Sequence, residues 1–296
     1  MTFGESVAVE APPRSTSERI SRTLTKAPIH IALAIVGLIW LLPTIGLLIT
    51  SFRPASDILS TGWWEIFAGR LNFTLDNYAQ VLDSQGMLNS FINSVIITVP
   101  STILPVFFAA LAAYGFAWVD FPFRDSVFLV VVGLLLVPIQ MVLIPLVQLF
   151  ASMGVYGQFT GLWIAHTAFA LPFGIFLLRN FFITLPRDLI EAAKIDGAST
   201  WNIFRTVVMP LSVPALASFA IFQFLWVWND LLMALVFAPR PNGLPMTTQV
   251  QNLLGTFATE WHLLAAASFL IMVVPLIVFF SLQRYFVQGL LAGSVK

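Results

Sequence analysis

The residues able to do chemistry in this chain are few, and most stand apart from one another. Between two long apolar runs, the stretch EAAKIDGASTWNIFR gathers Glu191, Lys194, Asp196 and Arg205 around Gly197. Inside the apolar runs sit Gln140, Gln148, Gln223, Asn229 and Asp230, with Trp226 and Trp228 beside the last three. The three histidines, His30, His166 and His262, are isolated, and cysteine is absent. Thiol catalysis, disulfides and cysteine metal sites are therefore excluded. Neither a carboxylate pair nor a histidine–acid cluster at ligand spacing occurs in the apolar runs, which removes the usual acid–base and metal chemistries. No GxxxxGK[ST] loop is present, so the chain does not bind ATP by that route. What remains is recognition: amides and aromatic faces in an apolar phase, and a compact charged turn outside it.

The elements that must position these groups are set by composition. Of 296 residues, 58% are hydrophobic and 9% charged, with a formal net charge of zero, against about 45–50% apolar and about 25% charged in soluble domains. Such a chain is an integral membrane protein. A helix needs about 20 apolar residues to cross the hydrocarbon core, and unpaired backbone groups there cost several kcal/mol each. Six windows qualify: residues 29–51, 88–117, 126–149, 160–182, 207–237 and 260–284. The turn-like ASMGVYGQFT at 151–160 divides the third from the fourth, because residues 126–178 hold no charge. Runs of this length exclude a transmembrane barrel, whose strands are about 9–11 residues and alternate in polarity. The expected fold class is all-α, integral membrane, with six transmembrane helices.

Orientation follows from basic residues, which concentrate in short cytoplasmic loops. With the N-terminus inside, Arg14, Arg19, Arg22, Lys26, Arg124, Arg179, Arg187, Lys194, Arg205, Arg284 and Lys296 fall on the cytoplasmic side and only Arg53, Arg70 and Arg240 on the other. Both termini are then cytoplasmic, residues 1–27 form a polar, mobile tail, and 28–296 form one membrane domain ending in a cytoplasmic tail at 284–296. The run at 29–51 is too long for a signal-peptide core and is kept as a span. Trp63 and Trp64 in the outer GWWEIF segment suit the headgroup level.

The cytoplasmic stretch 186–206 reads as helix, glycine turn, helix. Pro186 suits a helix start, Asp188 and Glu191 favour its positive end, and Lys194 its last turn. Gly197 supplies the left-handed cap, after which Ser199 or Thr200 caps a second short helix. Leu189, Ile190 and Ala193 fall on neighbouring turns, and Trp201 and Phe204 extend the apolar surface. Two placements suit this surface: a groove on a soluble partner or the lipid interface.

Polar groups within spans are costly and so mark either a pathway or helix–helix hydrogen bonds. Gln140 and Gln148 lie two turns apart on nearly one face. Gln223, Trp226, Asn229 and Asp230 cluster near the end of the fifth window, with Asp230 able to reach the outer interface. His166, within the fourth window, is the one histidine worth mutating. The outer loop at 238–261 is rich in Pro, Gly and small polar residues and reads either as a plain connection or as a contact surface.

The run EAAKIDGASTWNIFRTVVMPLSVP resembles the EAA motif of ATP-binding-cassette importer permeases, with Glu191, Ala192, Ala193, Asp196, Gly197, Ala198, Phe204, Pro210 and Pro214 in place. Around it the chain is similar to the smaller permease of maltose-type carbohydrate importers: SFRP at 51–54, LDNYAQVL at 75–82, VPIQMVLIPLVQL at 137–149, WND at 228–230 and the tail RYFVQGLLAGSVK. The resemblance runs from about residue 28 to the end; Leu291 and Ser294 depart from the family's usual tail residues. It implies a type I importer permease fold in a bacterial or archaeal plasma membrane, with no cofactor on this chain and with ATP and Mg on two partner ATPase subunits. It further implies a second permease subunit, an extracytoplasmic sugar-binding protein and an oligosaccharide or related sugar as cargo, with a weak lean towards alpha-glucosides. In that family Glu191, Ala192, Ala193, Asp196, Gly197 and Phe204 would belong to the coupling helix seated in an ATPase cleft. The tail at 284–296 would contact the ATPases, and the outer loop would face the binding protein. Competing classes are an ion-coupled secondary carrier, which calls for a midplane charge relay and paired broken helices, and a membrane-embedded enzyme.

Overall fold

The computed structural model describes residues 16–69, 72–83, 86–256 and 260–292, and among these every regular element is helical. The N-terminal helix α1 (Thr16–Ser51) begins inside the segment expected to be a mobile tail. Extending a formed helix adds one hydrogen bond per residue fixed, so the polar residues ahead of the apolar run join it. Residues 1–15 of the tail and 293–296 at the C-terminus lie outside the described residues. Short α2 (Ala55–Ser60), a 3-10 turn at Trp63–Ala68 and α3 (Asp76–Asp83) lead to the long α4 (Met87–Trp118).

Next come α5 (Arg124–Gly133) and α6 (Ile139–Ser152), then α7 (Phe159–Phe182). The single span expected at 126–149 is instead broken, with α5–Leu136 and α6 meeting at 101°. Pro138 is the cause: it disfavours helical backbone at Val137, which is extended at ψ 114°. The turn expected at 151–160 is present, with Gly154 and Gly157 at φ +71° and +69°.

The segment after α7 forms α8 (Arg187–Ile195), α9 (Thr200–Ile203), a π-helical turn at Phe204–Val208 and α10 (Met209–Leu211). Then α11 (Val213–Trp228) departs at 76° from the preceding stretch. Asn229 to Leu231 interrupt the expected fifth span before α12 (Leu232–Phe237), and α13 (Met246–Thr256) and α14 (Trp261–Ala292) complete the chain. Four helices are long and apolar enough to cross a membrane, and up to six spans result if each bent pair counts as one.

Helices α4 and α7 make the most extensive contact and run in the same direction, because their C-terminal halves share one buried cluster and their N-terminal halves another. Small residues let them approach: Ala109, Ala110 and Ala113 are buried on α4, and a methyl on Gly174 of α7 would lie 2.8 Å from the Ala109 Cβ and 2.3 Å from the ring of Phe219 on α11. With no hydrophobic driving force between helices in lipid, such close backbone contact supplies the attraction. Helix α11 packs against α4 and α14, and α1 against α14.

The first connection is held by polar groups. Arg53 is buried and donates to the carbonyls of Thr61 at 3.2 Å and Asp57 at 3.0 Å, and also to the Thr61 hydroxyl. Asn77 Nδ2 donates to the carbonyls of Ser51 and Arg53, both at 2.9 Å, so SFRP and LDNYAQVL form one hydrogen-bonded corner. Trp63 packs on α1, where a methyl on Gly46 would come 2.9 Å from its indole nitrogen.

Candidate functional site

The turn between α8 and α9 is built from local rules. Gly197 has φ +78°, its N–H donates to the Lys194 carbonyl at 3.0 Å, and the Ala198 N–H to the Ala193 carbonyl at 3.0 Å. That bond pair is the Schellman closure of a helix, which needs a left-handed residue at the position Gly197 holds. Ser199 then caps α9, its hydroxyl accepting from the Asn202 N–H at 3.3 Å. Pro186 stands just ahead of α8.

Burial sorts this segment into a root and a crown. Ile190 and Phe204 are 2% and 4% exposed and, with Ile203 and Val208, join the cluster of Tyr114, Phe182 and Leu185. Ile190 and Phe204 therefore pack into the chain's own core. An apolar stripe on a short helix must satisfy its own bundle first, since burying one such side chain is worth about 1.5–3 kcal/mol. Tyr114 completes the root: its hydroxyl donates to the Thr200 carbonyl at 3.1 Å, and its ring lies 5.2 Å from that of Phe204. Glu191, Ala192, Lys194, Asp196 and Gly197 are exposed, and Ala193 is half-buried. Ile195 at 86% and Trp201 at 53% exposure are apolar groups left on the surface. Among the described residues, no hydrogen bond or ion pair engages the side chains of Glu191, Lys194, Asp196 or Arg205, so these charges do not cap the local backbone.

Arg179 at the end of α7 sits 4.3 Å from the centre of the Phe128 ring and 3.9 Å from an Asp125 oxygen, tying α7 to α5 near this root.

The polar residues expected along a pathway do not form one group. Gln140 and Gln148 are both exposed on α6, beyond the bend that Pro138 creates. Gln223 is buried, its Nε2 donating to the Ser101 carbonyl of α4 at 3.0 Å, an interhelical bond. Trp226 is exposed, whereas Trp228 is buried, donating to the Ile271 carbonyl at 3.0 Å and stacked on Phe224. Asn229 bonds back to the Leu225 carbonyl of its own helix at 2.8 Å. The Asp230 carboxylate accepts from the N–H groups of Met233 at 3.4 Å and Ala234 at 3.1 Å, capping α12 at the break in the fifth window. Its backbone carbonyl accepts from the Thr247 hydroxyl at 2.8 Å. His166 of α7 approaches the same carboxylate at 4.0 Å. A small cavity joins His166, Gln223 and Trp226 with Ile139, Phe169 and Phe173. Sequence distance hid this meeting of α7 and α11.

The loop after α12 is pinned to the start of α4. Asn93 Nδ2 donates to the carbonyls of Asn242 at 2.7 Å and Leu244 at 3.1 Å, and Ser94 accepts from the Met246 N–H at 2.9 Å. Beside this clamp lies an open cleft of about 580 Å³ lined by Asn89, Asn93, Asn242 and Gln249. Asn93 and Ser94 were not singled out from sequence, where they look like ordinary polar residues of an early helix turn. No group of histidine and acidic residues able to hold a metal occurs among the described residues.

Known proteins share both the fold and the sequence. The chain aligns over 91% of its length, and 99% of the other's, with a chain of a bacterial importer of the polysaccharide alginate, at TM-score 0.64 and 15% identity. It aligns over 67% of its length, and 93% of the other's, with a chain of a methionine ABC transporter, at TM-score 0.53 and 18% identity. In sequence it is 54% identical over 275 residues to the osmoprotective compounds uptake permease protein of Synechocystis sp., covering 92% of each chain. It is also 54% identical over 230 residues to the alpha-glucoside transport system permease protein of Rhizobium meliloti, covering 76% of this chain and 60% of that one. The family of binding-protein-dependent transport system inner membrane components matches residues 28–291. With an all-helical bundle of up to six spans and a matched family domain across nearly its whole length, the chain belongs to that family, the membrane-embedded permease subunits of ABC importers.

Proposed function

We propose that this chain is the smaller permease of an ATP-driven importer that carries an oligosaccharide or related sugar, and that the α8–α9 turn is its grip on an ATPase subunit. The single observation that carries the grip is the split of residues 186–206: a root locked into the bundle by Ile190, Phe204 and Tyr114, and a crown exposing Ile195, Trp201 and four unpaired charges. A rooted turn moves as one body with α4 and α7, so force applied to the crown reaches the spans. The sugar assignment is supported by relatives named for alpha-glucoside transport and for uptake of osmoprotective compounds.

In this reading six spans cross the inner membrane with both termini and the turn in the cytoplasm, supported by the bias of basic residues. A second permease completes the membrane unit, two ATPase subunits bind ATP and Mg, and an extracytoplasmic binding protein delivers the sugar, approaching the loop clamped by Asn93. Gln140, Gln148, Gln223, Trp226, Asn229 and Asp230 lie along or beside the route of passage.

The test is reconstitution in proteoliposomes with the copurified ATPase, partner permease and binding protein. Glu191→Lys is expected to keep insertion and assembly of the spans while lowering ATP-driven uptake at least about tenfold, since a charge reversal at a docked surface costs several kcal/mol. Uptake by the variant at the wild-type rate, with the ATPase bound as before, would refute the grip. Ion-driven uptake by the chain alone would point to a secondary carrier.

A further inference from the structure

The cavity between α7 and α11 is lined by a buried polar side chain that makes no close hydrogen bond. His166 is 4% exposed, yet no hydrogen bond reaches its ring among the described residues. Its nearest charged neighbour, the Asp230 carboxylate, is 4.0 Å away, beyond hydrogen-bond reach. That carboxylate is already engaged by the N–H groups of Met233 and Ala234. A buried imidazole that lines a cavity and makes no hydrogen bond within the protein has its N–H available to a group entering that cavity.

The rest of the cavity matches one chemistry. Gln223 donates one amide N–H to the Ser101 carbonyl, which fixes the side chain, and its oxygen remains an acceptor. An imidazole in either protonation state carries at least one N–H donor. A donor and an acceptor facing one space suit a hydroxyl, which both accepts and donates. The space, about 30 Å³, admits a group the size of a water or a hydroxyl and is far below the roughly 300–1,000 Å³ of a whole-ligand pocket. Trp226 stands at the rim, 58% exposed, offering an apolar face to whatever projects that group inward.

We propose that His166, Gln223 and Trp226 form a subsite within this chain for one hydroxyl of the transported sugar, with the sugar ring lying on Trp226. This rests on the importer reading above and adds to it that the smaller permease itself inspects the cargo. Charged solutes are disfavoured, because no free opposite charge faces the cavity.

The experiment uses the complete complex in proteoliposomes with its binding protein. The probe is whichever of maltose, sucrose and trehalose the wild type takes up fastest, together with its monodeoxy derivatives. The wild type is expected to reject one monodeoxy derivative about tenfold in uptake kcat/KM, more than the binding protein alone discriminates in binding. His166→Ala is expected to abolish that extra discrimination, whereas Trp226→Leu slows parent and derivative alike. Should His166→Ala fail to assemble, His166→Gln decides the point, because it keeps a donor at a different reach and must shift the discrimination. If parent and derivative uptake are unchanged in His166→Gln and Trp226→Leu, the subsite is overturned while the importer reading stands. If the complex, with ATP, takes up no sugar that its binding protein binds, the sugar-importer reading fails and takes the subsite with it.

Discussion

At the scale of single residues, Gly197 is the position where backbone geometry and proposed function coincide. An added methyl there would meet nothing within 4 Å, so the constraint is the positive φ and not space. Gly197→Ala is expected to cost about 1–2 kcal/mol of turn stability, since a side chain disfavours the left-handed region by that much. Gly197→Pro must do more: it removes the N–H bonded to Lys194 and forbids φ +78°. Pull-down of the ATPase with each variant should rank wild type above alanine above proline, and an unchanged pull-down with proline would deny the turn its role. This cap was legible in sequence because a C-terminal glycine closure is a local event. The inward turn of Ile190 and Phe204 was not, because helical periodicity reports an apolar face without saying what covers it.

At the scale of elements, the contact of α4 with α7 and α11 links the turn to the bundle. Gly174→Ala forces its new methyl to within 2.3 Å of the Phe219 ring, and both neighbours are fully buried. Overpacking of this kind costs about 1–3 kcal/mol, and a lower unfolding temperature of the detergent-solubilised complex is the expected reading; an unchanged temperature would mean the helices shift freely. Tyr114→Phe deletes the bond to the Thr200 carbonyl, worth about 1 kcal/mol. If α4 drives the turn, the variant should hydrolyse more ATP per sugar moved while its assembly is unaltered. Helix lengths were readable for α4 and α7 within a residue or two. The break at Pro138 was not, because a proline inside an apolar run is tolerated in many membrane helices and breaks only some.

For the whole molecule, the absence of native cysteine makes every introduced thiol a unique reporter of topology. Lys194→Cys should react with an impermeant maleimide only from the cytoplasmic side, and Asn242→Cys only from the opposite side, in intact cells against inverted vesicles. The same side for both would overturn the six-span orientation. With the assembled complex, Ile195→Cys should lose reactivity when the ATPase is bound and regain it when the ATPase is stripped away.

The amino-acid sequence alone settled the membrane habitat, the helical class, the positions of four long apolar helices and the glycine turn. Hydrocarbon compels each spanning segment to satisfy its own backbone, and caps and turns are decided by residues a few positions apart. Only the tertiary structure decided that His166 of α7 meets Gln223 and Trp226 of α11, that Gln140 and Gln148 stand apart from them, and that Asn93 clamps a loop far along the chain. Those meetings depend on how each helix is rotated and where its neighbour crosses it. The close packing of Ala109, Gly174 and Phe219 fixes both, and no local pattern encodes them.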